Sequence, residues 1–223
     1  MADDEVLDDD LYPEATRVLS ERDPVIAKLV DLTGPVTIPR ATESNFTALV
    51  RAITYQQLAG SAARAIFGRL AVLLGEIAPE RLLAFSALEL QAVGLSRAKA
   101  VSVLDLAAKV LDGTVAVDDR ELAELPDQAV IDSLVRVKGI GPWTAEIFLM
   151  IHLRRIDVLP AGDLGVRKGF GFAWNMPTPS TKELIALGDA YRPYRSVLAW
   201  YCWRADELYG AAKGSAVTGA TPV

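Results

Sequence analysis

Apolar residues recur every three to four positions through most of this chain, and alternating apolar and polar runs are nearly absent. That period belongs to amphipathic helices, not to half-buried strands. From about Pro13 to Leu32 the pattern predicts one helix, ended by Thr33-Gly34-Pro35, and a short extended piece, Val36 to Pro39, follows. Asn45 is placed to cap a helix from Phe46 to about Gln57, with Leu49, Val50 and Ile53 on one face. Ser61 is placed to cap the next, Ala62 to Leu74, which Gly75 closes. Pro79 to Phe85 and Ala87 to Val93 read as short helices, and after the break at Gly94-Leu95 a longer one, capped by Ser96, runs from Arg97 to about Leu111. Beyond a brief piece at Leu122 to Leu125, helices are expected over Asp127–Val137, Pro142–Leu153, from near Asp163, over Thr181–Leu187 and over Ser196–Tyr209. The fold expected is all-α, with many short helices and no repeat of fixed period. Residues 1–12 read as a disordered acidic tail and 210–223 as a flexible one.

Composition narrows the chemistry. About half of the 223 residues are hydrophobic, enough for one large domain or two small lobes. Cys202 is the single cysteine, so neither an internal disulfide nor a cysteine-ligated zinc or iron–sulfur cluster is available. His152 is the single histidine, which excludes multi-histidine metal sites. The run Ile147-Phe-Leu-Met-Ile falls far short of the roughly 20 apolar residues that span a bilayer, so no membrane is expected. The acidic start resembles neither a secretory signal nor a basic transit peptide. The net charge of −6 argues against nucleic acid only until its distribution is considered. Seven acidic residues and no basic one lie within residues 1–14, and the remainder carries +1. Between Arg136 and Arg195, nine basic residues face five acidic ones, which allows a modest basic face.

One segment stands out, Val137-Lys-Gly-Ile-Gly-Pro-Trp-Thr-Ala-Glu-Ile147. Gly139 stands where a helix C-terminal glycine belongs, and Pro142 stands at the favoured first position of a helix. The two helices must therefore meet in a very tight turn. Such a turn serves equally as a plain corner between helices or as an anion site. The second reading uses outward backbone N–H groups and the positive end of a helix, with Lys138 adding charge. A DNA phosphate bound this way is held without regard to sequence.

Leu134-Val-Arg-Val-Lys-Gly-Ile-Gly-Pro-Trp-Thr-Ala145 resembles the helix-hairpin-helix of the DNA glycosylase superfamily. Leu159-Pro-Ala-Gly-Asp-Leu-Gly-Val-Arg-Lys-Gly169 resembles the segment in which these enzymes carry their essential aspartate. Tyr191-Arg-Pro-Tyr-Arg-Ser-Val-Leu-Ala-Trp-Tyr-Cys-Trp203 and Arg51-Ala-Ile-Thr-Tyr-Gln-Gln-Leu58 resemble two segments of the 3-methyladenine DNA glycosylase II branch. The likeness spans residues 44–206. It implies a two-lobed fold with a cleft between lobes, residues 13–43 and 163–209 forming one lobe and 44–162 the other. It also implies a short form without the N-terminal β-rich domain of larger members.

The resemblance implies a monofunctional enzyme that flips out an alkylated purine from double-stranded DNA and hydrolyses its glycosidic bond. Asp163 would be the catalytic carboxylate, beside a sugar that becomes positively charged. Bifunctional relatives carry a nucleophilic lysine where this chain has Trp143. Trp143, Tyr55 and Trp203 are expected to wall the base pocket, since an alkylated purine is cationic and attracts aromatic faces. Trp200, one turn from Trp203, is expected in the core. Gln57 or Leu58 is expected to fill the gap left in the duplex. Lys138, Gly139, Ile140, Gly141, Thr144, Arg167 and Lys168 are expected to contact phosphates. No cofactor is implied, and no metal beyond a monovalent cation at the hairpin backbone. The chain is expected to act as a monomer, in the bacterial cytoplasm or a eukaryotic nucleus. Gly162 stands where some relatives carry a second acid, which leaves Asp163 unpaired in sequence. Two other readings stay open: a non-enzymatic DNA-binding damage sensor, and a glycosylase for oxidised or deaminated bases.

Overall fold

The computed structural model describes residues 11–210, and among them there are helices and no strand. In chain order the α-helices are α1 (Leu11–Arg22), α2 (Pro24–Thr33), α3 (Asn45–Tyr55), α4 (Gly60–Leu74), α5 (Pro79–Leu83), α6 (Ala87–Ala92) and α7 (Arg97–Leu111). They continue as α8 (Asp119–Glu124), α9 (Asp127–Leu134), α10 (Pro142–Ile147), α11 (Leu164–Ala173), α12 (Thr181–Gly188) and α13 (Arg195–Ala205). A π-helical turn, Phe148–His152, prolongs α10, and another, Asp206–Gly210, prolongs α13. The expected tails lie outside the described residues except at Leu11, Tyr12 and Gly210; Leu11 and Tyr12 open α1, where Tyr12 is buried.

Three helix starts differ from the sequence expectation. The single helix over Pro13–Leu32 breaks at Asp23, which takes an extended conformation. Its Oδ1 accepts the Val25 N–H at 2.8 Å, and Pro24 follows at the first helical position, so a new helix is favoured there. Ser44, not Asn45, caps α3; the Asn45 amide is drawn away to the Val117 carbonyl and the Asp119 carboxylate, at 2.9 and 2.6 Å. Helix α4 begins at Gly60 and uses no side-chain cap, so Ser61 does not take that role.

The chain divides into two compact units, residues 40–153 and the rest. In the central unit the fully buried leucines and isoleucine Leu49, Ile53, Leu70, Leu82, Leu90, Leu106, Leu134 and Leu149 form the core. Each contributes roughly 2 kcal/mol through burial. In the terminal unit Leu19, Ile26, Leu29, Val166, Phe170, Val197, Leu198 and Tyr201 do the same. Helices α11 and α13 cross in direct backbone contact, because a Cβ at Gly169 would collide with the Cys202 carbonyl. Asp23 ties this unit together: Oδ2 accepts the Tyr191 hydroxyl at 2.5 Å and the Trp174 indole N–H at 3.0 Å.

Residues 154–162 pack with the terminal unit, whereas the sequence reading assigned them to the central lobe. The reason is polar and sits at the start of α13. The Ser196 hydroxyl donates to the Arg155 carbonyl at 2.6 Å and accepts the Val158 N–H at 2.9 Å. Arg195 donates to the Asp157 carboxylate and carbonyl, at 2.7 and 2.6 Å.

Candidate active site

In the central unit the hairpin turns between α9 and α10. Gly139 has φ +82°, a left-handed conformation that a side chain disfavours. A Cβ there would also strike the Ser102 hydroxyl of α7. Gly141, the residue before α10, has φ −97°, and a Cβ built on it meets no atom within 4 Å. Space beside this glycine is therefore left open by the protein itself. Lys138 is 70% exposed, while its backbone N–H is held by Asp105 Oδ2 at 2.8 Å. The side chains of Ile140 and Thr144 are buried, so these two expected phosphate contacts, like the two glycines, have only backbone to offer.

A cavity of about 690 Å³ opens beside the hairpin. Tyr55, Gln57 and Trp143 line it, as do Arg51, Phe148 and His152. Trp143 lines this cavity and is 47% exposed. Phe148 and His152 stack, with ring centroids 5.1 Å apart and planes 18° from parallel. Burial lowers the imidazole's basicity below its ordinary value, opposed by Glu43 and aided by Arg51. The structure thus brings Tyr55, Gln57 and Trp143 to one cavity, together with residues that sequence reasoning did not assign to it, among them Arg51, Gln56, Phe148 and His152.

Gln56 is the most informative of these. Its amide donates to the Gly139 carbonyl at 2.9 Å and to the Thr144 hydroxyl at 3.3 Å, so it joins the end of α3 to the hairpin. The next residue, Gln57, has φ +55°. A non-glycine residue in that region costs about 1 kcal/mol, so something must hold it. Lys99 of α7 does so in part: its ammonium donates to the Thr54 and Gln56 carbonyls at 2.8 and 2.6 Å. Burial lowers the Lys99 ammonium below its ordinary value. Leu58, 40% exposed, completes the turn.

Asp163 lies in the terminal unit, at the start of α11. It is that helix's N-cap, and Oδ1 accepts the Val166 N–H at 2.8 Å. The same oxygen accepts the indole N–H of Trp203 at 3.1 Å. The carboxylate is thus oriented by two donors from two helices, which cross closely because of Gly169. Trp200 is buried and Trp203 is the tryptophan at the carboxylate. Arg167 is partly buried and donates to the Pro179 carbonyl at 3.4 Å, whereas Lys168 is exposed. Among the described residues, no group of three or more His, Cys, Asp or Glu side chains is placed to hold a metal ion. Nor, among the described residues, is any helix long and apolar enough to cross a membrane.

Residues 50–190 match the family model described as HhH-GPD superfamily base excision DNA repair protein. The chain belongs to this family. Within the HhH-GPD superfamily, it is 32% identical over 187 residues to DNA-3-methyladenine glycosylase 1 of Schizosaccharomyces pombe, covering 81% of this chain and 82% of that one. A solved 3-methyladenine DNA glycosylase of the same yeast, in complex with abasic DNA, superposes with a TM-score of 0.75 at 30% identity, over 87% of this chain and 97% of that one. A DNA-3-methyladenine glycosidase of Bacillus halodurans superposes with a TM-score of 0.80 at 33% identity, over 88% and 91%. Both the hairpin and Asp163 fall within the matched HhH-GPD segment.

Proposed function

We propose that this chain is a monofunctional DNA glycosylase of base excision repair. It flips alkylated purines out of duplex DNA, hydrolyses their N-glycosidic bond and leaves an abasic site. The observation that carries the chemistry is the two-donor orientation of Asp163. As the bond to the base breaks, positive charge develops on the deoxyribose. A fixed carboxylate stabilises that charge and activates water without reorganising at the moment of reaction. An alkylated purine leaves as a neutral base, so little acid catalysis is needed.

Substrate class follows from the relatives and from the cavity. Both of the superposed structures and the yeast relative act, by name, on 3-methyladenine. Trp143 and Tyr55 offer aromatic faces, which attract a cationic, electron-poor ring. Trp143 has no amine, so water rather than an enzyme nucleophile attacks the sugar, and strand cleavage does not follow. The open space at Gly141 and the exposed Lys138 support a phosphate contact that sets the register of the DNA.

The test is Asp163→Asn. Asparagine also caps helices, so α11 keeps its start and the fold is preserved. Release of 3-methyladenine from alkylated duplex DNA should fall by about a thousandfold or more, with DNA affinity within about threefold of wild type. Normal base release by the variant would refute the mechanism.

A further inference from the structure

We propose that one face of α7 is a gauge that holds the Gln57–Leu58 turn at a fixed distance from the hairpin, with Lys99 as its positioning residue. This rests on the reading of Gln57 and Leu58 as the plug that enters the duplex. Three residues spaced three apart share the face. Lys99 donates to the Thr54 and Gln56 carbonyls at 2.8 and 2.6 Å, where α3 ends. Ser102 lies against Gly139. Asp105 accepts the Lys138 N–H at 2.8 Å. The Gln56 amide closes the ring by donating to the Gly139 carbonyl at 2.9 Å.

The consequence is geometric. A phosphate held at the hairpin fixes where the duplex lies, and a plug is useful only if it enters at one base step from there. Both parts hang on a single 15-residue helix whose Ala100, Val103, Leu106 and Ala107 are buried, so α7 is a stiff strut. Lys99 also holds the carbonyls on either side of Tyr55, just before the left-handed Gln57. Without its ammonium, the turn has lost its donor from α7 and relaxes away from φ +55°. Misplacement of the plug by about 1 Å slows a reaction by about a hundredfold even when binding persists.

The experiment compares wild type with Lys99→Met and Lys99→Arg on a duplex in which 2-aminopurine flanks an alkylated purine. Its fluorescence rises when a plug unstacks it. Lys99→Met should bind undamaged duplex within about threefold of wild type, yet lose over half of the fluorescence rise and release base at least tenfold more slowly in single turnover. Lys99→Arg keeps donors for the same carbonyls and should restore most of the rise. A merely structural lysine would lower the melting temperature and leave the rise per bound molecule unchanged, and that result overturns the proposal. So does a folded Lys99→Arg that restores nothing. Where Lys99→Met does not fold, Gln56→Leu cuts the other arm of the ring and must show the same loss; an unchanged rise refutes the gauge. Gln57→Ala and Leu58→Ala check the underlying reading. If neither alters the signal, the plug assignment itself has failed, and the proposal falls with it.

Discussion

Gly139 and Gly141 flank one isoleucine, yet substituting alanine should fail in different ways at each. At Gly139 an alanine must hold φ near +82°, which costs about 1–2 kcal/mol. Its Cβ also displaces the Ser102 hydroxyl, which donates to the Ala98 carbonyl at 2.9 Å. Losing that bond costs about another 1 kcal/mol, for a sum near 2–3 kcal/mol. In a chain of this size each kcal/mol lowers the melting temperature by about 2–4 °C, so Gly139→Ala should melt about 5–10 °C lower. Gly141 sits at φ −97° and ψ 172°, which any residue adopts, and nothing lies within 4 Å of an added Cβ. Gly141→Ala should therefore melt within about 2 °C of wild type, a small effect of the helix start. Under the proposed phosphate contact, its methyl group instead occupies space that the phosphate needs. Binding should weaken about tenfold on every duplex, and the slope of log affinity against log salt should shrink by about 0.9, one phosphate's worth. Thermal melts and fluorescence anisotropy on unrelated duplexes at several salt concentrations measure both. Wild-type binding by Gly141→Ala, or a loss confined to one sequence, would refute the phosphate-clamp reasoning.

Other outcomes follow from the terminal unit and the pocket. Trp203→Phe keeps a ring but removes the N–H that reaches Asp163 at 3.1 Å; kcat should fall about tenfold with KM unchanged, whereas a raised KM at normal kcat would make Trp203 a pocket wall. Borohydride added during turnover should trap no covalent protein–DNA adduct, because Trp143 supplies no amine; a trapped adduct contradicts the water mechanism. Tyr191, Tyr201 and Cys202 are buried, and burial raises all three above their ordinary values. The folded chain then keeps protons that the unfolded chain releases above pH about 9–10, so stability is full below that range and falls as pH rises through it. Denaturant titrations from pH 8 to 11 should show stability decreasing as the pH rises, and a flat profile would contradict it.

The parts legible in the sequence are those whose physics is local. Helical periodicity, the glycine–proline spacing of the hairpin and the cap at Ser96 depend on neighbours within four residues, and each is present. The miss at Asp23 is instructive because that signal was local too. An aspartate followed by proline restarts a helix, but continuous apolar spacing across it, from Leu19 to Ile26, masked the break. The missed residues of the site have a different cause. Gln56 stands inside the quoted Tyr55-Gln56-Gln57 segment, yet its partner Gly139 is 83 positions away. Lys99 bonds carbonyls 43 and 45 positions away, and a backbone carbonyl leaves no trace in sequence.

Trp203 marks the same boundary from the other side. The resemblance implied a wall of the base pocket at Trp203, with Trp200, one helical turn away, in the core. Close crossing at Gly169 brings α13 against α11 and gives the Trp203 N–H to Asp163. A wall needs only a ring, but orienting a carboxylate needs a donor at a fixed place, and that is a property of two helices together. On the proposed function, the cavity aromatics Tyr55 and Trp143 and the carboxylate with Trp203 divide the work by unit. One unit carries the aromatic surface and the hairpin, and the other carries an aspartate held by two N–H groups. Such a division predicts separable defects: substitutions at Tyr55 or Trp143 should change which bases are released, and substitutions at Trp203 should change how fast every base is released. A base-release panel over several methylated purines distinguishes the two, and a uniform loss at Trp143 would show that its ring acts on rate rather than on choice.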